Sequence, residues 1–251
     1  MTEQKRTLVI VPTYNEAGNL EPLMAVIRDV HAGLEILVID DNSPDSTGDI
    51  ADRLSREWAG IHVLHRPGKM GLGTAYIQGF KWAIERGYDY VFQMDCDFSH
   101  HPRYLPIFLD RIAEADLVVG SRYVKGGSTP DWGLVRKMIS RGGNTFARLM
   151  LRLKTHDCTG GFRCYRRRLL QRVPWERIQL QGYGFQISAI CYVERLGGKV
   201  VEVPIVFEDR RVGQSKMSLR IVIEAFTYVT RLALQEARGR ASWGGESEGQ
   251  P

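Results

Sequence analysis

Residues 93–102 read QMDCDFSHHP, so Asp95 and Asp97 stand one residue apart, followed by His100, His101 and Pro102. The apolar run YVFQM before them has the character of a buried strand, which puts the two acids where a strand ends. Two carboxylates at i and i+2 off a strand suit a hard divalent cation, Mg2+ or Mn2+, which keeps several waters and takes phosphate oxygens. Without an ion, carboxylates that close repel, and one takes up a proton. A polar turn that happens to carry two acids is the other reading, because Asp and Ser are ordinary turn residues. His100 and His101 read as capping and packing at a helix start rather than as ligands.

Three more polar clusters follow apolar runs: PTYNE (12–16), DDNSPDST (40–47) and GSRY (120–123). In an open α/β sheet, ligands bind outside the carboxyl ends of the strands. One polar strand end is a loop, whereas four facing a single crevice make a site. Arg136, Lys137, Arg141, Arg148, Arg152 and Lys154, then Arg163, Arg166, Arg167, Arg168 and Arg172, form a basic stretch in which Asp157 is the lone acid. Such a run is either a solvated face or a place where anions dock. No nucleophile–base triad is visible. GLGTAY does not complete GxGxxG, and no GxxxxGK[ST] loop exists, which weakens a nicotinamide or P-loop reading. The aromatics do not interleave with the basic run in an RNA-binding pattern, so no nucleic-acid partner is expected.

The elements that must hold these residues alternate. Strands are predicted at 7–12, 35–40, 61–65, 90–94 and 117–121, with helices near 19–31, 46–57, 72–86 and 102–114. That order argues for βαβ units on a mostly parallel sheet. Further on come a basic helix at about 134–153, a helix near 184–196 and a strand pair within KVVEVPIVFEDR. A last amphipathic helix at 218–237 has Leu219, Val222, Ile223, Phe226, Val229 and Ala233 on one face. The chain has 251 residues, 43% of them hydrophobic and 25% charged, enough for one α/β domain or two small ones. Its net charge of +5 suits an anionic partner, or equally a merely soluble basic surface. Cys96, Cys158, Cys164 and Cys191 show neither CxxC nor zinc spacing and read as reduced thiols of a cytosolic protein. No 18-residue uncharged segment or signal peptide is apparent, so the expectation is a chain that neither spans a membrane nor is exported.

Taken in order, VPTYNEAGNL, EILVIDDNSPDSTGDIA, GLGTAYIQGFKWA, MDCDFSHHP, GSRYVKGG, VRKMISRGGN, DCTGGFRCYR, GYGFQ and EVPIVFEDRRVGQSKMS resemble the dolichol-phosphate (polyprenol-phosphate) mannose synthases of glycosyltransferase family 2. The resemblance covers about residues 7–218. It implies a GT-A, Rossmann-like α/β fold with helices on both faces of a mostly parallel sheet. The implied reaction moves mannose from GDP-mannose to a polyprenyl (dolichyl) monophosphate with inversion, aided by Mg2+ or Mn2+. Carried over by residue, Pro12, Tyr14, Glu16, Ile39 and Asp41 contact the nucleotide sugar, and Asp95, Cys96 and Asp97 form the metal and diphosphate turn. Arg122, Arg136 and Ser140 take the lipid phosphate, and Arg122 is also counted among the donor contacts. Arg210 and Lys216 close over the GDP diphosphate. Asp95, Asp97 and Arg122 are the expected catalytic residues, with Asp95 and Asp97 the metal ligands.

Two departures from the family pattern stand out: Cys96 replaces the common Ala of DAD, and Ser99 stands where some relatives have Gln. The resemblance leaves the sugar open, since the motifs fix diphosphate and metal better than sugar hydroxyls; a glucose transferase of the same fold and a non-catalytic nucleotide-sugar-binding subunit are the alternatives. One catalytic domain is expected at 1–237, with helix 218–237 facing the domain, a membrane or a partner, and a disordered tail at 238–251. A lipid acceptor and no spanning segment imply peripheral attachment to the cytoplasmic face of a membrane, or a small membrane-anchoring subunit.

Overall fold

The computed structural model describes residues 5–178, 182–209 and 219–237. The first half is a run of βα units: β1 (Thr7–Thr13), α1 (Ala17–Val30), β2 (Leu34–Asp40), α2 (Thr47–Glu57), β3 (Ile61–His65), α3 (Leu72–Glu85) and β4 (Tyr90–Gln93). Leu8, Val9, Ile10 and Val11 are all fully buried. Helices cover both faces, which is why these strands read as continuous apolar runs rather than alternations. Leu8 and Ile10 point to one core with Tyr76, Phe80, Tyr165 and Trp175, and Val9 and Val11 to the other with Leu20, Phe92 and Phe108. Helix α3 lies so close to the sheet that a Cβ on Gly79 would sit 2.8 Å from the Ile10 side chain.

The second half adds α4 (Leu105–Ile112), β5 (Leu117–Ser121), α5 (Leu134–Leu151), β6 (Arg163–Arg166), the short α6 (Arg167–Leu170), α7 (Gly182–Arg195), β7 (Val200–Pro204) and α8 (Leu219–Ala237). The sheet order is β3-β2-β1-β4-β6-β5-β7, and β6 alone runs antiparallel, between β4 and β5. With β2 on one side of β1 and β4 on the other, the winding changes direction there. A crevice is thereby left outside the carboxyl ends of β1 and β4.

The five expected strands appear within one residue at each end. Of the strand pair expected in 199–210, the described residues, which reach 209, show the single strand β7 and, beyond it, an isolated bridge from Ser128 to Val206. Pro204, which lacks an N–H, ends the ladder. The expected helix at 102–114 starts as a 3-10 turn at Pro102–Tyr104 and becomes α-helical from Leu105. Helix α8 packs on α5 and α7, burying Val229 and Leu232, with Tyr228 Oη 2.8 Å from Ser188 Oγ and Arg195 paired to Glu236 at 2.7 Å. The tail at 238–251 lies outside the described residues.

Candidate active site

The loops that leave β1, β2 and β4 are built on left-handed backbone: Asn15 (φ 60°), Asn42 (φ 55°), Ser46 (φ 64°) and Phe98 (φ 63°). Asn tolerates that region, whereas a bulky Phe is held there only when its surroundings over-determine it. They do. Asp97 Oδ1 accepts from Ser99 N–H at 3.0 Å and from Ser99 Oγ at 2.5 Å, and His100 Nδ1 accepts from Asp95 N–H at 3.1 Å. The His100 ring is buried, stacked on Phe162 (centroids 5.2 Å apart) and met edge-on by Phe207. His101 Nδ1 accepts from Arg103 N–H and caps the following turn. Both histidines thus shape the turn from within the protein.

The strand ends converge on a cleft of about 430 Å³. Pro12, Tyr14 and Glu16 come from the end of β1, Asp41 from β2, Asp95, Cys96 and Asp97 from β4, and Arg122 from β5. Trp132, Arg136, Thr159, Gly160, Gly161, Tyr183 and Gln186 complete it. Asp95 Oδ1 accepts from the buried Tyr76 hydroxyl at 3.0 Å. Burial, then the Asp95 charge, pushes the Tyr76 phenol well above its ordinary range, so it remains a donor. Burial likewise pushes the Cys96 thiol up, with Glu16, Asp97 and Asp95 adding to the effect. No arginine or lysine among the described residues pairs with Asp95, whose side chain is 32% exposed. No group of three His, Cys, Asp or Glu residues forms a metal cluster among the described residues. Asp95 and Asp97 are the carboxylates that would hold a small hard cation, completed by water and substrate phosphate.

Asp41 reaches the cleft but is already engaged: Arg66 Nη2 donates to its Oδ2 at 2.7 Å and Nε to its Oδ1 at 2.5 Å, with both side chains buried. Arg66 also donates to Thr74 Oγ1 and the Gly71 carbonyl, clamping β3 to the start of α3. Lys69 Nζ sits 4.3 Å above the Tyr14 ring at the cleft. Ile39 is fully buried within the core and brings no side chain to the cleft.

On the opposite wall, Arg122 forks onto Asp157: Nε donates to Oδ2 at 2.8 Å and Nη2 to Oδ1 at 2.7 Å, and Nη2 also donates to Thr159 Oγ1 at 2.8 Å. Burial alone would lower the guanidinium pKa, but the Asp157 charge outweighs it and holds it up. Burial would raise Asp157, and Arg122 holds it below the usual carboxylate range. Arg136 lies 4.1 Å over the Trp132 ring and pairs with Asp209 at 2.8 Å. Ser140 Oγ is 2.7 Å from Tyr123 Oη and lines not the main cleft but an adjoining apolar pocket of about 70 Å³ between α5, α7 and α8. The two cavities share Thr159 and Tyr183. Arg210 and Lys216 lie outside the described residues.

Arg66, Tyr76, Asp157, Thr159 and Gln186 were not singled out as site residues by sequence. The signal for Asp157 was present, since it is the lone acid in a basic stretch. Arg66 sat just past a strand pattern and Tyr76 inside a helix pattern, with nothing to mark them.

The glycosyl transferase family 2 profile matches residues 8–173. An undecaprenyl-phosphate mannosyltransferase of Micrococcus luteus is 48% identical over 229 residues, 91% of this chain and 94% of that protein. A polyprenol monophosphomannose synthase of Mycolicibacterium smegmatis is 42% identical over 239 residues, 94% of this chain and 90% of that one. Among solved structures, a glucosyl-3-phosphoglycerate synthase of Mycobacterium tuberculosis with Mn2+ and UDP bound superposes with a TM-score of 0.65 at 20% identity, over 95% of this chain and 81% of its own. The parallel sheet with its strand-end cleft is therefore a GT-A fold, and the chain belongs to glycosyl transferase family 2.

Proposed function

We propose that this enzyme transfers mannose from GDP-mannose to a polyprenyl monophosphate with inversion at the anomeric carbon, giving polyprenyl-phosphate mannose and GDP. The observation that carries the reading is one cleft with a carboxylate wall, the Asp95–Asp97 turn, on one side and an arginine wall, Arg122 with Arg136, on the other, beside an apolar pocket. Two relatives that match almost the whole chain are named for mannose transfer to such lipids. A more distant fold relative, a mannosyltransferase from Pyrobaculum calidifontis with a TM-score of 0.55, was solved with GDP-mannose and Mn2+.

In this reading Asp95 and Asp97 hold a divalent cation, Mg2+ or Mn2+, which supplies positive charge for the departing diphosphate. The acceptor phosphate is already an anionic nucleophile, so the site has no need of a strong base. Arg122, its Nε and Nη2 held by Asp157 and Thr159, aligns it through the remaining Nη1 donors in a charge-assisted contact. Alignment inside a walled cleft then does the remaining work. Gln186 lines the cleft with a carboxamide oxygen that has no partner among the described residues, and it is the side chain we assign to a sugar hydroxyl. Purified protein given a short-chain polyprenyl phosphate, Mg2+ or Mn2+, and a panel of GDP- and UDP-sugars should use GDP-mannose. Preferred use of UDP-glucose would move it to the glucose branch of the same chemistry.

No helix among the described residues is long and apolar enough to cross a membrane. The lipid acceptor is reached instead through α5, whose Leu134, Val135, Met138 and Leu149 are each more than 70% exposed. Lys137, Arg141, Arg148 and Arg152 lie among them, each adding about 1 kcal/mol of attraction to an anionic leaflet. We assign α5 to the bilayer surface, on the cytoplasmic side.

A further inference from the structure

Beneath the cleft floor, Arg163 is fully buried, and all four of its hydrogen bonds go to neutral oxygens. Nε donates to the Gly160 carbonyl at 2.9 Å, Nη2 to the carbonyls of Cys158 and Gln186 at 3.1 Å each, and Nη1 to Tyr165 Oη at 3.3 Å. No carboxylate among the described residues lies within ion-pair distance of it, whereas its buried neighbour Arg122 has Asp157 at 2.7 Å. A buried cation without a counter-charge is costly, and packing alone is served as well by an uncharged side chain.

The backbone above it shows where the counter-charge belongs. The C=O and N–H of a trans peptide point in opposite directions. With the carbonyls of Cys158 and Gly160 turned down onto the guanidinium, the N–H groups of Thr159 and Gly161 face the other way, and both residues line the cleft. Neither N–H has a partner among the described residues. Those of Cys158 and Gly160, in contrast, are bonded to Asn144 Oδ1 and Asp157 Oδ1. A guanidinium on a peptide carbonyl polarises the whole peptide and strengthens its N–H as a donor. Two free N–H groups on the same side of such a turn make an anion-binding concavity, and Arg122 Nη2 stands at its rim on Thr159 Oγ1.

We propose that Arg163 is a positioning residue for the acceptor. It charges the 158–161 turn from below, so that the amides of Thr159 and Gly161 grip an oxygen of the lipid phosphate monoester beside Arg122. The inference rests on the acceptor reading given above. Cys158–Thr159 is the one Cys-Thr pair in the sequence, so carbonyl-13C cysteine with 15N threonine isolates the Thr159 amide in a single correlation peak. Adding short-chain polyprenyl phosphate to GDP-loaded wild-type protein should move that amide proton downfield, and GDP alone should leave it in place. In turnover assays, Arg163→Met should raise the acceptor KM about ten- to a hundredfold with the Kd for GDP unchanged, the scale of hydrogen bonds to a charged group. Arg163→Lys, which keeps the charge, should recover most of that loss. An amide unmoved by the acceptor, or moved equally by GDP alone, overturns the proposal, and so does a folded Lys variant no better than the Met one. Should the Met variant not fold, the wild-type amide and the Lys variant still decide. Absence of any acceptor-dependent turnover in wild type would instead remove the acceptor reading itself.

Discussion

At the scale of single residues, charge decides most of what the cleft does. On the proposed reading Asp97→Ala removes one ligand of a two-carboxylate ion site and should abolish transfer while leaving the fold intact; turnover close to wild type at saturating metal would refute the assignment. Asp157→Asn should cost more than activity, since it leaves Arg122 buried without its counter-charge, a change of about 3–5 kcal/mol. Chemical denaturation measures it. The four cysteines give a pH prediction. Burial pushes Cys96, Cys164 and Cys191 up, and Cys158 up to about 12. Above about pH 8.5 the unfolded chain releases these protons while the folded chain keeps them. Raised folded pKa values mean stability that is complete below the unfolded pKa and lost as pH rises, by about 1.4 kcal/mol per thiol per pH unit. Thermal melts in reductant should fall steeply between pH 8.5 and 10, and a flat profile would contradict the burial. The site carboxylates and Arg122 were legible in sequence because they follow apolar strands. Asp157 and Arg66 owe their roles to partners 35 and 25 residues away, which no local pattern announces.

Secondary elements show the same division between local and distant causes. Strands β1 to β5 were readable because burial on both faces leaves an unbroken apolar signature. Strand β6 was not, because RCYR carries its arginines into the sheet and looks like a basic loop. The amphipathic stripe of α8 was weighed as a domain, membrane or partner face; Val229 is 1% exposed, whereas Phe226 stacks on Phe146 with ring centroids 3.9 Å apart and stays half exposed. The most exposed large apolar side chains among the described residues lie on α5, where interspersed arginines masked them in the sequence. Replacing Leu134 and Met138 together by Asp should leave the melting temperature unchanged and abolish binding to anionic vesicles. Val229→Asp should instead destabilise the fold by about 3 kcal/mol or more, as burial of an unpaired charge does. Vesicle co-sedimentation alongside thermal melts separates the two outcomes; vesicle binding unaffected by the α5 pair would move the attachment elsewhere.

For the whole molecule, the sheet divides the work. The parallel strands β3-β2-β1-β4 end in the carboxylate wall, the β5–β7 half carries the arginine wall, and antiparallel β6 is the seam between them. The alternation of elements foretold the parallel half; the reversal at β6 depends on pairing across the chain and could not be read locally. If, as proposed, GDP-mannose sits at the carboxylate wall, chelating divalent ions should weaken its binding and leave binding of polyprenyl phosphate nearly unchanged. Calorimetry on each ligand with and without chelator tests this, and equal weakening of both would place the cation between the walls. The exposed apolar face of α5 sets a further condition on how the enzyme meets its acceptor. Once that helix lies on a bilayer, the search for acceptor takes place in two dimensions, and the concentration that matters is the mole fraction of polyprenyl phosphate in the leaflet. Diluting a fixed amount of acceptor with inert phospholipid should then slow turnover, although its quantity per unit volume has not changed.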